Sequence, residues 1–190
     1  MFKAYVDYEL PFGKGKPFLS GAGKVANAVV GGWSISSILN YFSGTPLSFP
    51  GSSPLSGGWN GAQNRANVAS GNLKNAGFRK SDFQLVAPNL STNTYLNKSM
   101  FSDPAPLTLG TSANRYGQAR NFGTINEDVG LVKSFMVNEK YRGQIRAEFL
   151  NIFNRHNLTG IVNSVTSPLF GQVTGVEGNH SVQLSARFDF

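Results

Sequence analysis

Polar and apolar positions alternate in five separate stretches of the chain. Residues Phe2 to Leu10 alternate without a break: Phe2, Ala4, Val6, Tyr8 and Leu10 fall on one side, Lys3, Tyr5, Asp7 and Glu9 on the other. A period of two is what a strand with one apolar face produces. Pro11 and Gly13 end it, and the connection 11–32 holds one stretch, Ala22 to Val30, that reads as a short helix before Gly31 and Gly32. A second strand over 33–43 sets Trp33, Ile35, Leu39 and Tyr41 against Ser34, Ser36 and Asn40, while Ser37, Ile38 and Phe42 blur the pattern. Alternation resumes over about 126–135, with Val129, Leu131 and Phe135 opposite Asp128, Gly130 and Ser134. Lys133 intrudes on the apolar side near the end of that strand, where an ammonium is expected to snorkel to a headgroup. The tight connection 136–140 leads into a strand over 141–152, where Tyr141, Ile145, Ala147 and Phe149 oppose Arg142, Gln144, Arg146 and Glu148. The last strand, 181–190, presents Val182, Leu184, Ala186, Phe188 and Phe190 on one face and Ser181, Gln183, Ser185, Arg187 and Asp189 on the other.

Between these strands lie two long connections, about 44–125 and 154–180, rich in Gly, Ser, Asn and Pro. The first carries scattered aromatics (Trp59, Phe78, Phe83, Tyr95, Phe101) and no sustained period; the second holds a possible strand extension at Phe170 to Thr174. Connections in compact soluble domains have a median of about 4–6 residues, so loops of this length argue for outer, functional segments. The strands themselves run about 9–10 residues, the length a tilted strand needs to cross hydrocarbon. Connections also alternate in size along the chain, as in outer-membrane barrels, which keep short turns inside and long loops outside.

Composition narrows the choice further. Charged residues make up only 14% of 190 residues, and Gly 22 with Phe 15 suits short strands joined by turns. The net charge of +7 would fit nucleic acid if it were clustered, but Lys and Arg spread from Lys3 to Arg187, so no nucleic-acid partner is expected. Cysteine is absent, which removes disulfides, thiolate metal sites and a thiol nucleophile. No stretch reaches the roughly 20 apolar residues of a spanning helix. Met1 is followed at once by a strand pattern, with no signal peptide, and a fragment whose export signal lies upstream is therefore expected.

The pattern predicts an all-β, antiparallel transmembrane β-barrel fragment, about five C-terminal strands of a larger barrel with long extracellular loops. Alternation by itself also fits a soluble β-sandwich binding module, one for carbohydrate included, whereas a complete small barrel would need eight strands. The terminus favours the membrane: Val182, Leu184, Ala186, Phe188 and Phe190 resemble the C-terminal signal read by the barrel-assembly machinery. In a soluble protein so apolar an edge strand would invite aggregation.

Five strings, in order, are similar to the C-terminal barrel of Oar-like TonB-dependent receptors, which carry a carboxypeptidase-regulatory-like domain. They are Tyr8-Glu9-Leu10-Pro11-Phe12-Gly13-Lys14-Gly15-Lys16, Gly31-Gly32-Trp33, Tyr41-Phe42-Ser43-Gly44-Thr45-Pro46-Leu47, Arg146-Ala147-Glu148-Phe149-Leu150-Asn151-Ile152-Phe153-Asn154 and Phe170-Gly171-Gln172-Val173-Thr174. The resemblance implies residence in the cell outer membrane of a Gram-negative bacterium, contact with outer-membrane lipid, and uptake of an unknown large or scarce substrate. It further implies coupling to the TonB complex through an N-terminal plug that these residues do not include. It also sets the C-terminus in the periplasm, so that 11–32 and 136–140 face inward and the two long loops outward.

Nothing in the chain points to catalysis or to a cofactor. His156 and His180 form no metal-binding pair, no G-x-S-x-G elbow occurs, and the acid pairs Asp7/Glu9 and Glu127/Asp128 fall where lumen-facing or strand-end charge is expected. Gly21 to Ala26 imitates a dinucleotide fingerprint without the βαβ context that gives it meaning. Asn89-Leu90-Ser91, Asn97-Lys98-Ser99, Asn157-Leu158-Thr159 and Asn179-His180-Ser181 match glycosylation acceptors, as Asn-rich loops do by chance.

Overall fold

The computed structural model describes residues 1–52, 64–85, 92–136 and 140–190. Trp59, the Asn89-Leu90-Ser91 string and the middle of the 136–140 connection lie outside the described residues. The strands are β1 (Phe2–Glu9), β2 (Trp33–Phe42), β3 (Pro46–Leu47), β4 (Asn67–Val68), β5 (Phe101–Ser102), β6 (Tyr116–Arg120), β7 (Thr124–Met136), β8 (Arg142–Leu150), β9 (Asn157–Ile161), β10 (Val173–Glu177) and β11 (Ser181–Asp189), with one α-helix, α1 (Lys24–Val30). They divide between two units.

The first unit comprises residues 1–42, 124–156 and 178–190. It is one antiparallel sheet in the order β1-β2-β7-β8-β11, every pair in unbroken register. The sheet does not close, since β1 and β11 each pair on one side only. Because β1 and β2 are antiparallel, Gly21 to Ala26 belongs to no βαβ unit.

Two strand ends have identifiable causes. β8 stops at Leu150, not 152, because Asn151 takes a left-handed backbone (φ 51); Asn tolerates that region through its short polar side chain. β2 starts at Trp33 because Gly32 (φ 68) turns the chain against the Ser134 carbonyl, where an added Cβ would collide.

The second unit comprises residues 43–123 and 157–177. The sequence suggests long loops here, whereas these residues pack around a core of their own, which includes Leu47, Phe49, Leu73, Leu96, Phe101, Phe170 and Val173. Phe49 and Phe101 rings lie 4.5 Å apart, and Phe101 and Phe170 4.9 Å in an edge-to-face contact. Secondary structure is sparse: β3 pairs β6, β4 pairs β5, and β9 with β10 forms a hairpin. The strand expected at Phe170 to Thr174 is in fact Val173–Glu177.

Candidate functional site

Register decides which side chains share a face, and across the five-stranded sheet it sorts them almost completely by polarity. The line Tyr8, Ile35, Leu131, Ala147, Leu184 runs straight across the hydrogen-bonded ladder. Its neighbours two residues away on the same face include Val6, Val129, Ile145, Val182 and Ala186. The opposite face carries Asp7, Ser36, Asn40, Asp128, Gln144, Arg146, Glu148, Gln183 and Arg187. The apolar face is bare: Leu184 is 77% and Phe188 64% exposed. A soluble sandwich would cover such a face with a second layer. Water penalises it, and a lipid bilayer does not.

Rings mark the ends of this face. At the end where β1 begins, Phe2 and Tyr41 stand 5.8 Å apart; at the other lie Tyr8, Trp33, Phe135 and Phe188, the last two 6.1 Å apart and closing over Gly143. Aromatic girdles of this kind flank the apolar band of membrane barrels. The second girdle is not parallel to the hydrogen-bonded line. Trp33 lies two residues past it, and Phe135 and Phe188 four, so the girdle drifts by four residues over four strand steps. One residue per strand, at about 3.3 Å rise and about 4.8 Å between strands, corresponds to strands inclined by about 35°. Membrane barrels tilt their strands by about 35–45°.

The residues that resemble a C-terminal assembly signal share one face in this register. Val182, Leu184, Ala186 and Phe188 all point to the apolar face along the open edge strand β11, and Phe190 lies just past it, exposed.

Two charges break the apolar face, both on β7. Glu127 shares the parity of Val129 and Leu131 and sits near the start of β7, so of the lumen-facing and strand-end positions the sequence allows it takes the strand end, on the apolar face; Asp128 lies on the polar face. The Glu127 side chain is 3% exposed. Its carboxylate accepts a hydrogen bond from Arg155 Nε at 2.6 Å and from the Tyr41 hydroxyl at 3.1 Å. That hydrogen bond raises the Arg155 pKa still further above its ordinary range. Asn151 fixes the turn that delivers Arg155: its amide donates to the Arg155 and Gly178 carbonyls at 3.0 and 2.8 Å, and its Oδ1 accepts the Arg155 N–H at 2.8 Å. His180 Nδ1 lies 3.0 Å from the Asn151 carbonyl and His156 is exposed, so both histidines belong to this turn region.

Lys133 is the second charge, and it does not snorkel. Its ammonium is buried under α1, donating to the Val29 carbonyl at 3.3 Å and to that of Gly31, with the Trp33 ring 5.4 Å away. The sequence showed Lys133 to be on the wrong parity but not Glu127, and it did not show their partners, which lie 28 and about 100 residues away in the chain.

On the polar side, at the end carrying α1, the sheet borders a concavity of approximately 1340 Å³. Lys24, Arg142, Gln144 and Arg187 contribute to its lining, together with Asp189, which pairs with Arg187 at 2.8 Å. Among the described residues no cluster of three or more His, Asp or Glu is arranged to hold a metal. Among the described residues no helix is long and apolar enough to cross a membrane.

No curated protein and no solved structure matches this chain. A family model described as the outer membrane beta barrel domain matches residues 1–186. With a bare apolar face, a polar face and a ring girdle inclined to the ladder, the chain belongs to the outer membrane beta barrel domain family, and its place is the cell outer membrane.

Proposed function

We propose that this chain is wall and outer loops of a TonB-dependent receptor of the Oar-like type, importing a large or scarce nutrient across the outer membrane. The observation that carries the reading is where three of the five resembling strings fall. Gly31-Gly32-Trp33 forms the turn into β2 that fastens α1 to the sheet. Arg146 to Asn154 is β8 plus the Asn151 turn. Phe170 to Thr174 runs through the core of the second unit. The strings thus coincide with structural joints, which chance matches in Gly-rich loops would not do.

In this reading the polar sheet face lines the lumen, with the basic concavity at its periplasmic mouth, and the C-terminus is periplasmic. The connections 44–125 and 154–180 then face the medium. The partners are outer-membrane lipid on the apolar face, the barrel-assembly machinery at Phe190, and the TonB complex through a plug outside these residues. No catalytic role is proposed.

The test is retention of the native, detergent-extracted protein on an immobilised periplasmic domain of TonB. Specific retention that is lost with competing soluble domain is expected. A folded barrel that passes through unretained overturns the receptor reading while leaving the membrane barrel intact.

A further inference from the structure

The connection between β1 and β2 carries apolar side chains that its own packing leaves unused. α1 buries none of its seven residues. Val25 and Val29, four apart and therefore on one side of the helix, are 82% and 66% exposed. Phe18 and Leu19 of the same connection are exposed too. An isolated helix this short is marginal in water, because nucleation is costly and few hydrogen bonds follow. Something besides its sequence must favour it.

Its position relative to the sheet indicates what. The Trp33 indole donates to the Val29 carbonyl at 2.8 Å, and the Lys133 ammonium donates to the carbonyls of Val29 and Gly31. Trp33 and Lys133 are cross-strand partners on the apolar face. The C-terminal end of α1 is therefore fastened to the lipid side of the rim, continuous with a surface already facing acyl chains. The other side of α1 turns to the polar-side concavity, whose lining includes Lys24, Asn27 and Ala28, which leaves Val25 and Val29 on the side away from it.

We propose that α1 is an interfacial membrane anchor, with Val25 and Val29 inserted among phospholipid acyl chains. A helix with this division of side chains lies in the plane of the headgroups. The inference stands on the apolar face alone and does not depend on what is transported. Which leaflet α1 occupies follows from the orientation proposed above.

The experiment uses the native protein in vesicles of phosphatidylethanolamine and phosphatidylglycerol, identical in both leaflets, so an error of orientation does not affect it. Spin labels are placed on single cysteines replacing Val25 or Val29, exposed positions whose substitution leaves the fold intact; the absence of native cysteine keeps the background clean. Leu184→Cys serves as the lipid reference and Ser185→Cys as the polar-face reference. Collision rates with oxygen and with a water-soluble nickel chelate are compared. Labels at 25 and 29 are expected to give an oxygen-to-nickel ratio within about twofold of the Leu184 reference. A ratio equal to that of Ser185 overturns the proposal.

Discussion

Substituting arginine at neighbouring positions of β11 tests the assignment of the two faces most directly. Leu184 sits mid-strand on the apolar face opposite Ala147, and Gln183 sits on the polar face opposite Glu148. An arginine on the lipid side of a membrane barrel costs about 2–4 kcal/mol at the midplane and about 0–1 near the rim. Leu184 lies two residues from Val182 and four from Phe188 in the girdle, so it falls well inside the band. Leu184→Arg is accordingly expected to destabilise by about 3 kcal/mol, roughly a 150-fold shift in the folded-to-unfolded ratio. Gln183→Arg faces the lumen and meets Glu148, so its effect should stay within about 0.5 kcal/mol of zero, on either side. Val182→Arg, nearer the rim, should cost about 1 kcal/mol. The assay is urea titration of the native protein in vesicles, with the folded fraction read from its heat-modifiable migration in gels. Equal losses at 183 and 184 would refute the face assignment. Equal losses at 182 and 184 would refute the depth, because a protein-covered face has no reason to relax toward the strand end.

Two further outcomes follow. Asn151→Ala removes three hydrogen bonds worth about 1 kcal/mol each net and adds about 1 kcal/mol of left-handed backbone strain, a loss of about 3–4 kcal/mol, of which Asn151→Gly should recover only the backbone share; a stability unchanged by Asn151→Ala in the same titration would show that the turn does not depend on this side chain. Deletion of Phe190, and Phe188→Ala likewise, should lower the amount of assembled protein in the outer membrane, measured by its heat-modifiable band; unchanged levels in both variants would show the terminal signal to be assigned wrongly.

The five long strands were legible because a lipid-facing surface demands an apolar residue at every second position, and that demand is local. β11 shows it most clearly, with no exception from Val182 to Phe190. β2 was blurred for reasons that only register reveals. Ser37 occupies the apolar face because its hydroxyl donates to the Asp128 carbonyl at 3.1 Å. Phe42 occupies the polar face at the strand end, beneath the Lys3 ammonium 5.3 Å from its ring. Of the second unit only the strand suggested at Phe170 to Thr174 was legible, and it overlaps β10 only at Val173 and Thr174. The unit's paired strands are as short as two residues, and its core draws on Phe49, Leu73, Leu96 and Phe170, too far apart in sequence to generate any period. Such a core depends on tertiary closure of long segments, which no local pattern records.

The two charges on the apolar face show why the site could be half read. Glu127 and Lys133 are six residues apart on β7, about 20 Å along the strand, and at an inclination of about 35° that is about 16 Å along the membrane normal. An apolar band is about 25 Å tall, so both charges fall a few ångströms inside its edges, too deep to be hydrated and too shallow to be forbidden. A charge at that depth requires a partner. Glu127 has Arg155 and Tyr41, delivered by the Asn151 turn at one rim, and Lys133 has the carbonyl end of α1 and the Trp33 ring at the other. β7 is thus held at both edges of the membrane by Arg155 and the carbonyl end of α1, which lie outside the sheet in sequence, together with Tyr41 and Trp33 of β2. The same two contacts account for the turn after β8 and for the helix before β2, the two places where residues of the connections fold onto the lipid side.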